Sequence, residues 1–121
     1  MIKWIYHISD LHIGHDISRR HDKLEVLGKF LHDLRRCPNP DQAIVMICGD
    51  IFHFKNRLAA EDITDFCGFL RDCAAFASTF IIPGNHDTNP NNEGKSDLIT
   101  PIVEETKIPN VCYLRDSRIF K

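Results

Sequence analysis

The chain reads as an α/β domain built on a parallel sheet with β-α-β crossovers, and three observations carry that reading. Three short β-rich segments, residues 2–9, 44–48 and 79–83, are separated by two stretches of helical periodicity. Each of these segments ends in a polar cluster: Asp10-Leu11-His12, Gly49-Asp50 and Gly84-Asn85-His86-Asp87. Strands that alternate with helices take right-handed crossovers, which lay the strands parallel and gather their carboxyl ends at one edge.

The first segment carries Ile2, Trp4, Ile5, Tyr6 and Ile8 and runs straight into Asp10-Leu11-His12-Ile13-Gly14. Near the end of an extended segment, residues two apart point to the same side, so Asp10 and His12 can converge on one ion. From residue 21 to 36, Leu24, Leu27, Leu31 and Leu34 recur at intervals of three and four with charged residues between them, which predicts an amphipathic helix. Pro38 and Pro40 break it. Residues 44–48, Ile-Val-Met-Ile-Cys, form an unbroken apolar run, the pattern of a central strand buried on both faces. Gly49 lets the backbone turn as this strand ends and leaves Asp50 at the carboxyl edge, where open α/β sheets collect ligands.

A polar loop over 54–58 leads to a second helix over 59–77, with Ile63, Phe66, Cys67, Leu70, Cys73 and Ala74 on one face. Cys67 and Cys73 read there as core thiols, since free cysteine behaves as a small hydrophobe. After the third strand, an Asn-rich loop over 88–97 precedes a short helix over 98–106, capped by Ser96 or Asp97. Residues 110–114 predict a fourth strand, and 118–121 the start of a fifth.

Composition sets bounds on the function. A chain of 121 residues with 43% apolar and 26% charged residues suffices for one domain with a true core. A net charge of −2 gives no electrostatic support for binding nucleic acid or an anionic membrane. Five cysteines without a C-x-x-C pair read as reduced thiols of an intracellular protein, cytoplasmic or nuclear. The amino terminus is too short and polar for a signal peptide, and no apolar run approaches a membrane span.

With three strand ends at one edge, Asp10, His12, Asp50, Asn85, His86 and Asp87 converge. Carboxylates, imidazoles and an amide suit a divalent manganese, zinc or iron ion better than a thiolate-seeking one. Asp50, arriving between the other two clusters, is placed to bridge two ions. A pair of ions a few Å apart activates water and stabilises both oxygens of an in-line displacement, which makes a phosphoester the natural substrate.

D-x-H at Asp10 to His12, G-D-x-x-H at Gly49 to His53 and G-N-H-D at Gly84 to Asp87, in this order and each after a strand, resemble the calcineurin-like metallophosphoesterase superfamily. The resemblance implies a two-sheet α/β sandwich of which this chain supplies the first half. It also implies that Asp10 and His12 bind one metal, that Asp50 bridges two, and that Asn85 binds the second. His86 then acts at the phosphate with Asp87 orienting its ring. Within the superfamily, the Ile-Ser-Asp-Leu-His-Ile-Gly opening and Gly-Asp-Ile-Phe-His look most like the nuclease subunit of double-strand-break repair complexes, the Mre11/SbcD group. His53 stands where many phosphoesterases carry Asp, and in the repair nucleases that histidine accompanies exonuclease work.

This closer likeness implies DNA as substrate of the parent protein, manganese as the ion, and a partner ATPase of the Rad50/SbcC type. Two alternatives stay open: a small-molecule phosphodiesterase or phosphatase, and a non-catalytic scaffold that kept the fold. The superfamily completes its site with a further histidine and a G-H-x-H segment, whereas no histidine follows His86 here. The chain is therefore expected to be the amino-terminal portion of the catalytic domain, with an incomplete second metal site, one weakly held ion and little turnover. An apolar sheet face is expected to lie exposed or to be covered by another copy in a homo-oligomer. His7, His15, His21 and His32 read as solvated or packed.

Overall fold

Four strands pair in parallel in the order β1-β2-β3-β4, namely β1 (Trp4–Ile8), β2 (Ala43–Cys48), β3 (Ser78–Ile82) and β4 (Val111–Tyr113). The helices α1 (Arg20–Arg35), α2 (Ala60–Phe76) and α3 (Ile99–Thr106) form the three crossovers. The architecture is thus the expected α/β one. The structure is a computed structural model and describes residues 1–53, 58–84 and 97–116. The loop expected over 54–58 lies almost wholly outside those residues, as do Asn85, His86, Asp87, Ser96 and the fifth strand.

A sheet that runs 1-2-3-4 with crossovers of one hand keeps its helices on one face, and burial follows that geometry. The register pairs Tyr6 with Val45 and Val45 with Thr79, then Ile8 with Ile47 and Ile47 with Ile81. Val45, Ile47, Thr79 and Ile81 are wholly buried, beneath Phe66, Leu70 and Cys73 of α2 and Ile99 of α3. The other face carries Ile5, Ile44, Met46, Cys48, Phe80 and Ile82; Ile5 is exposed and the rest are half-buried. This corrects the sequence reading of residues 44–48. An unbroken apolar run predicts burial on both faces, but within the described residues only the helix-covered face of β2 is closed.

Helix α1 buries Leu27, Leu31 and Leu34 as its spacing predicts, but Leu24 remains 40% exposed. Likewise α2 buries Phe66, Cys67, Leu70, Cys73 and Ala74 and leaves Ile63 exposed at its first turn. Asp97 takes the capping role foreseen for α3. Its Oδ1 accepts from the N–H groups of Ile99 and Thr100 at 3.0 and 2.7 Å, and its Oδ2 accepts from Tyr113 Oη at 3.0 Å. One buried carboxylate therefore starts α3 and ties it to β4. Among the described residues no helix is long and apolar enough to cross a membrane.

Candidate metal centre

The pairing of β1 with β2 does not stop where the strands stop. Asp10 N–H donates to Gly49 O at 3.1 Å, His12 N–H to Asp50 O at 3.0 Å, Ile13 N–H to Ile51 O at 2.8 Å, and His53 N–H to Ile13 O at 3.0 Å. A parallel bridge between Ile13 and Phe52 completes the extension. Both residues of that bridge are core residues, so the two polar clusters are anchored in the interior just past their functional side chains.

Along this extended ladder the chain adopts left-handed backbone at Asp10 (φ 56°), His12 (φ 44°) and Asp50 (φ 51°). Only two other non-glycine residues among those described do so, Lys107 and Asn110, both in the α3–β4 turn. Left-handed backbone costs an L-residue about 1–2 kcal/mol, and it persists only where the surroundings over-determine it, which is typical of functional sites. Asp and His are among the side chains that tolerate it best. The effect of the three kinks is convergence. Asp10, His12 and Asp50 each offer a ligand atom, and those atoms lie within 4.8 Å of one another. His12 Nε2 stands 3.7 Å from Asp10 Oδ1.

Two carboxylates and an imidazole fit a borderline divalent ion such as manganese, zinc or iron. The Asp10 side chain is 65% exposed, so water or a substrate oxygen has room to complete a coordination sphere. The third cluster begins at the same place. A Cβ on Gly49 would lie 2.9 Å from Gly84 Cα, and a Cβ on Gly84 would collide with the backbone nitrogen and a carboxylate oxygen of Asp50. Only glycine at both positions allows the end of β3 to press against Asp50, and Gly49 in addition needs its φ of 76°. Asn85, His86 and Asp87 follow Gly84 directly but lie outside the described residues.

His53, predicted to act on substrate, stands beside the cluster with its ring centroid 5.6 Å from that of His12. The structure adds a residue that the sequence reading passed over. His15, which the sequence alone places among the solvated or packed histidines, lies edge-on to His53 with ring centroids 4.2 Å apart and planes at 73°. Three imidazoles, His12, His53 and His15, thus stand in successive ring contact beside the carboxylates. The one available sequence signal was the H-x-x-H spacing of His12 and His15 across the Gly14 turn, which by itself specifies nothing.

Comparisons with known proteins agree with this geometry. The sequence profile of the family described as calcineurin-like phosphoesterase matches residues 3–120. A protein of Acanthamoeba polyphaga mimivirus, "Uncharacterized protein R555", is 35% identical over 122 residues, which cover 99% of this chain and 9% of that protein. "Putative phosphoesterase 244L" of Invertebrate iridescent virus 6 is 28% identical over 72 residues, or 60% of this chain and 26% of that protein. The matched stretch is in both cases a small part of the relative's length.

Proposed function

Since this chain belongs to the calcineurin-like phosphoesterase family, we propose that its carboxyl edge hydrolyses phosphodiesters with divalent ions, and that nucleic acid is its substrate class. The observation that carries the reading is the convergence of Asp10, His12 and Asp50 in left-handed backbone. In this reading Asp10, His12 and Asp50 hold the first ion, and Asp50 with Asn85 the second. Manganese suits the oxygen-rich donor set, with zinc and iron as the other candidates. Bound there, the ions supply a Lewis acid for the phosphoryl oxygen and a nucleophilic water at neutral pH.

The remaining roles fall to the chain's own side chains. Asp50 also fixes His12 relative to itself, because its main-chain carbonyl accepts His12 N–H. By the family resemblance, His86 would stabilise or protonate at the phosphate, and Asp87 would orient that histidine. His53 contacts the substrate strand at the rim. The DNA repair nuclease assignment, with a partner ATPase in the whole protein, is supported by the Ile-Ser-Asp-Leu-His-Ile-Gly opening and by His53; the net charge of −2 gives it no help. The half-buried apolar sheet face supports self-association of the isolated chain.

The test titrates the 121-residue chain with Mn²⁺ by calorimetry and assays it on linear DNA and on bis-p-nitrophenyl phosphate. One Mn²⁺ bound by the wild type and lost in Asp50→Ala is the expected result, with any hydrolysis following the same pattern. Equal Mn²⁺ binding by both proteins would remove the metal reading. Hydrolysis of the small diester with DNA left intact would favour the small-molecule phosphodiesterase, whereas Mn²⁺ binding with little hydrolysis of either substrate is what an incomplete second metal site predicts for this chain.

A further inference from the structure

Lys23 lies in the first turns of α1, and its ammonium donates to the main-chain carbonyl of His12, 11 residues earlier. That carbonyl also accepts the His15 N–H at 3.1 Å. At the other end of the same peptide unit, Ile13 N–H donates to Ile51 O. The peptide joining His12 to Ile13 is therefore gripped at both poles, from α1 on one side and from the β2 extension on the other. His12 is the residue whose φ of 44° this grip must hold.

Packing of the Ile13 side chain into the core supplies only part of the hold. Two clefts, of about 660 and 330 Å³, flank the loop, and both are lined by Ile13, His15, Asp16, Lys23 and Leu27. The Lys23 side chain stands between them. Lysine is an expensive residue to place there, because half-burial limits its rotamers and strips water from its charge. Burial pushes its pKa down; Asp16 and Asp62 work against that shift and Arg19 with it. Even so, among the described residues Lys23 forms no salt bridge with a carboxylate. One of its three N–H donors goes to a loop carbonyl.

We infer that Lys23 is a positioning residue, which locks the His12 peptide so that the imidazole faces Asp10 and Asp50. The inference rests on the reading that those three residues bind a divalent ion. A charge-assisted bond to a carbonyl is stronger than a neutral one, and it acts on the ligand's backbone as an outer partner acts on a ligand's ring nitrogen.

The test compares Lys23→Met, which keeps the aliphatic stem and removes the donor, with Lys23→Arg, which keeps a charged donor. Arg20→Gln serves as the control. Arg20 makes a two-pronged bond to Asp65 at 2.7 Å in the same neighbourhood, and among the described residues its side chain donates no hydrogen bond to the His12–His15 turn. Two quantities are read: Mn²⁺ affinity by calorimetry, and amide hydrogen exchange of Ile13 and His15 in the metal-free chain. Lys23→Met is expected to weaken Mn²⁺ binding about 10-fold, the lower end of what losing an outer-shell partner costs, and to speed exchange at both amides. Lys23→Arg should recover most of both losses, and Arg20→Gln should show neither.

Unchanged affinity and exchange in folded Lys23→Met would overturn the proposal, as would equal effects from Arg20→Gln. Should Lys23→Met fail to fold, Lys23→Gln carries the same comparison. A wild-type chain that binds no Mn²⁺ overturns the metal reading instead, and the exchange of Ile13 and His15 then decides the role of Lys23 alone.

Discussion

The helix-covered face of the sheet and its carboxyl edge are built from the same strands to opposite specifications. Between the sheet and its helices, Val45, Ile47, Phe66, Leu70 and Ile81 are completely buried, and the rings of Phe52 and Phe66 meet edge to face at 5.3 Å. A few residues further along β1 and β2, the chain kinks three times into left-handed backbone and turns two carboxylates toward each other. The first region gains stability from every contact, while the second gives up stability to hold its side chains in place. Mutations should therefore separate the two, with core changes reporting on folding and edge changes on metal.

The largest effect expected on folding is that of Phe66→Ala. Truncating a fully buried aromatic costs about 3–5 kcal/mol, enough to lower the urea midpoint of a small domain sharply, and Mn²⁺ binding should fail only to the extent that the chain unfolds. A midpoint near that of the wild type would mean that this core is not what holds the sheet. Asp50→Ala should do the reverse. It should lower Mn²⁺ affinity by more than the ~10–100-fold cost of losing an outer-shell partner, while its unfolding free energy stays within ~1 kcal/mol of the wild type. Matching losses of stability and affinity would erase the distinction between the regions.

Alkaline pH gives an intermediate probe of the core. Burial pushes the Cys73 thiol from its ordinary 9.0 up to about 12, with Asp72 adding to the shift and Arg35 opposing it. The unfolded chain releases this proton first, so the stability due to the neutral buried thiol is complete below pH 9 and is lost as pH rises toward 12. Burial also raises the Cys67 thiol. Urea midpoints at pH 8 and pH 11 should differ less for Cys73→Ala than for the wild type. An identical pH response would show that the thiol ionises without unfolding the core.

The smallest effect concerns the edge in the absence of metal. Asp10→Asn keeps a side chain that accepts left-handed backbone and removes one of two converging charges. It should raise the metal-free unfolding free energy by up to ~0.5 kcal/mol and weaken Mn²⁺ binding. A lowered midpoint would mean that Asp10 also stabilises the loop by some other contact.

Much of the core was legible in the sequence, because apolar runs and the three-and-four spacing of helices report directly on what must leave water. The exceptions, Leu24 and Ile63, have a common cause. In a β-α unit the helix begins at the carboxyl edge of the sheet, so its first turns overhang the loops, and Leu24 there lines a cleft rather than the core. The convergence of Asp10, His12 and Asp50 was legible for a related reason, since each follows a strand and the strands run parallel. Their backbone conformation was not, nor were the positions of His15 and Lys23. Those depend on a turn at Gly14 and on where α1 starts relative to the loop, and neither spacing nor composition encodes such distances.

The three left-handed kinks also determine which mutational record the site would leave. In a library selected only for folded chains, positions 10, 12 and 50 should drift toward Gly and Asn, the residues best suited to that backbone, and should shed Val, Ile and Thr fastest. In a library selected for turnover the same positions should admit only metal-binding side chains. The disagreement between the two records, residue by residue, would outline the proposed metal site without any structure at all.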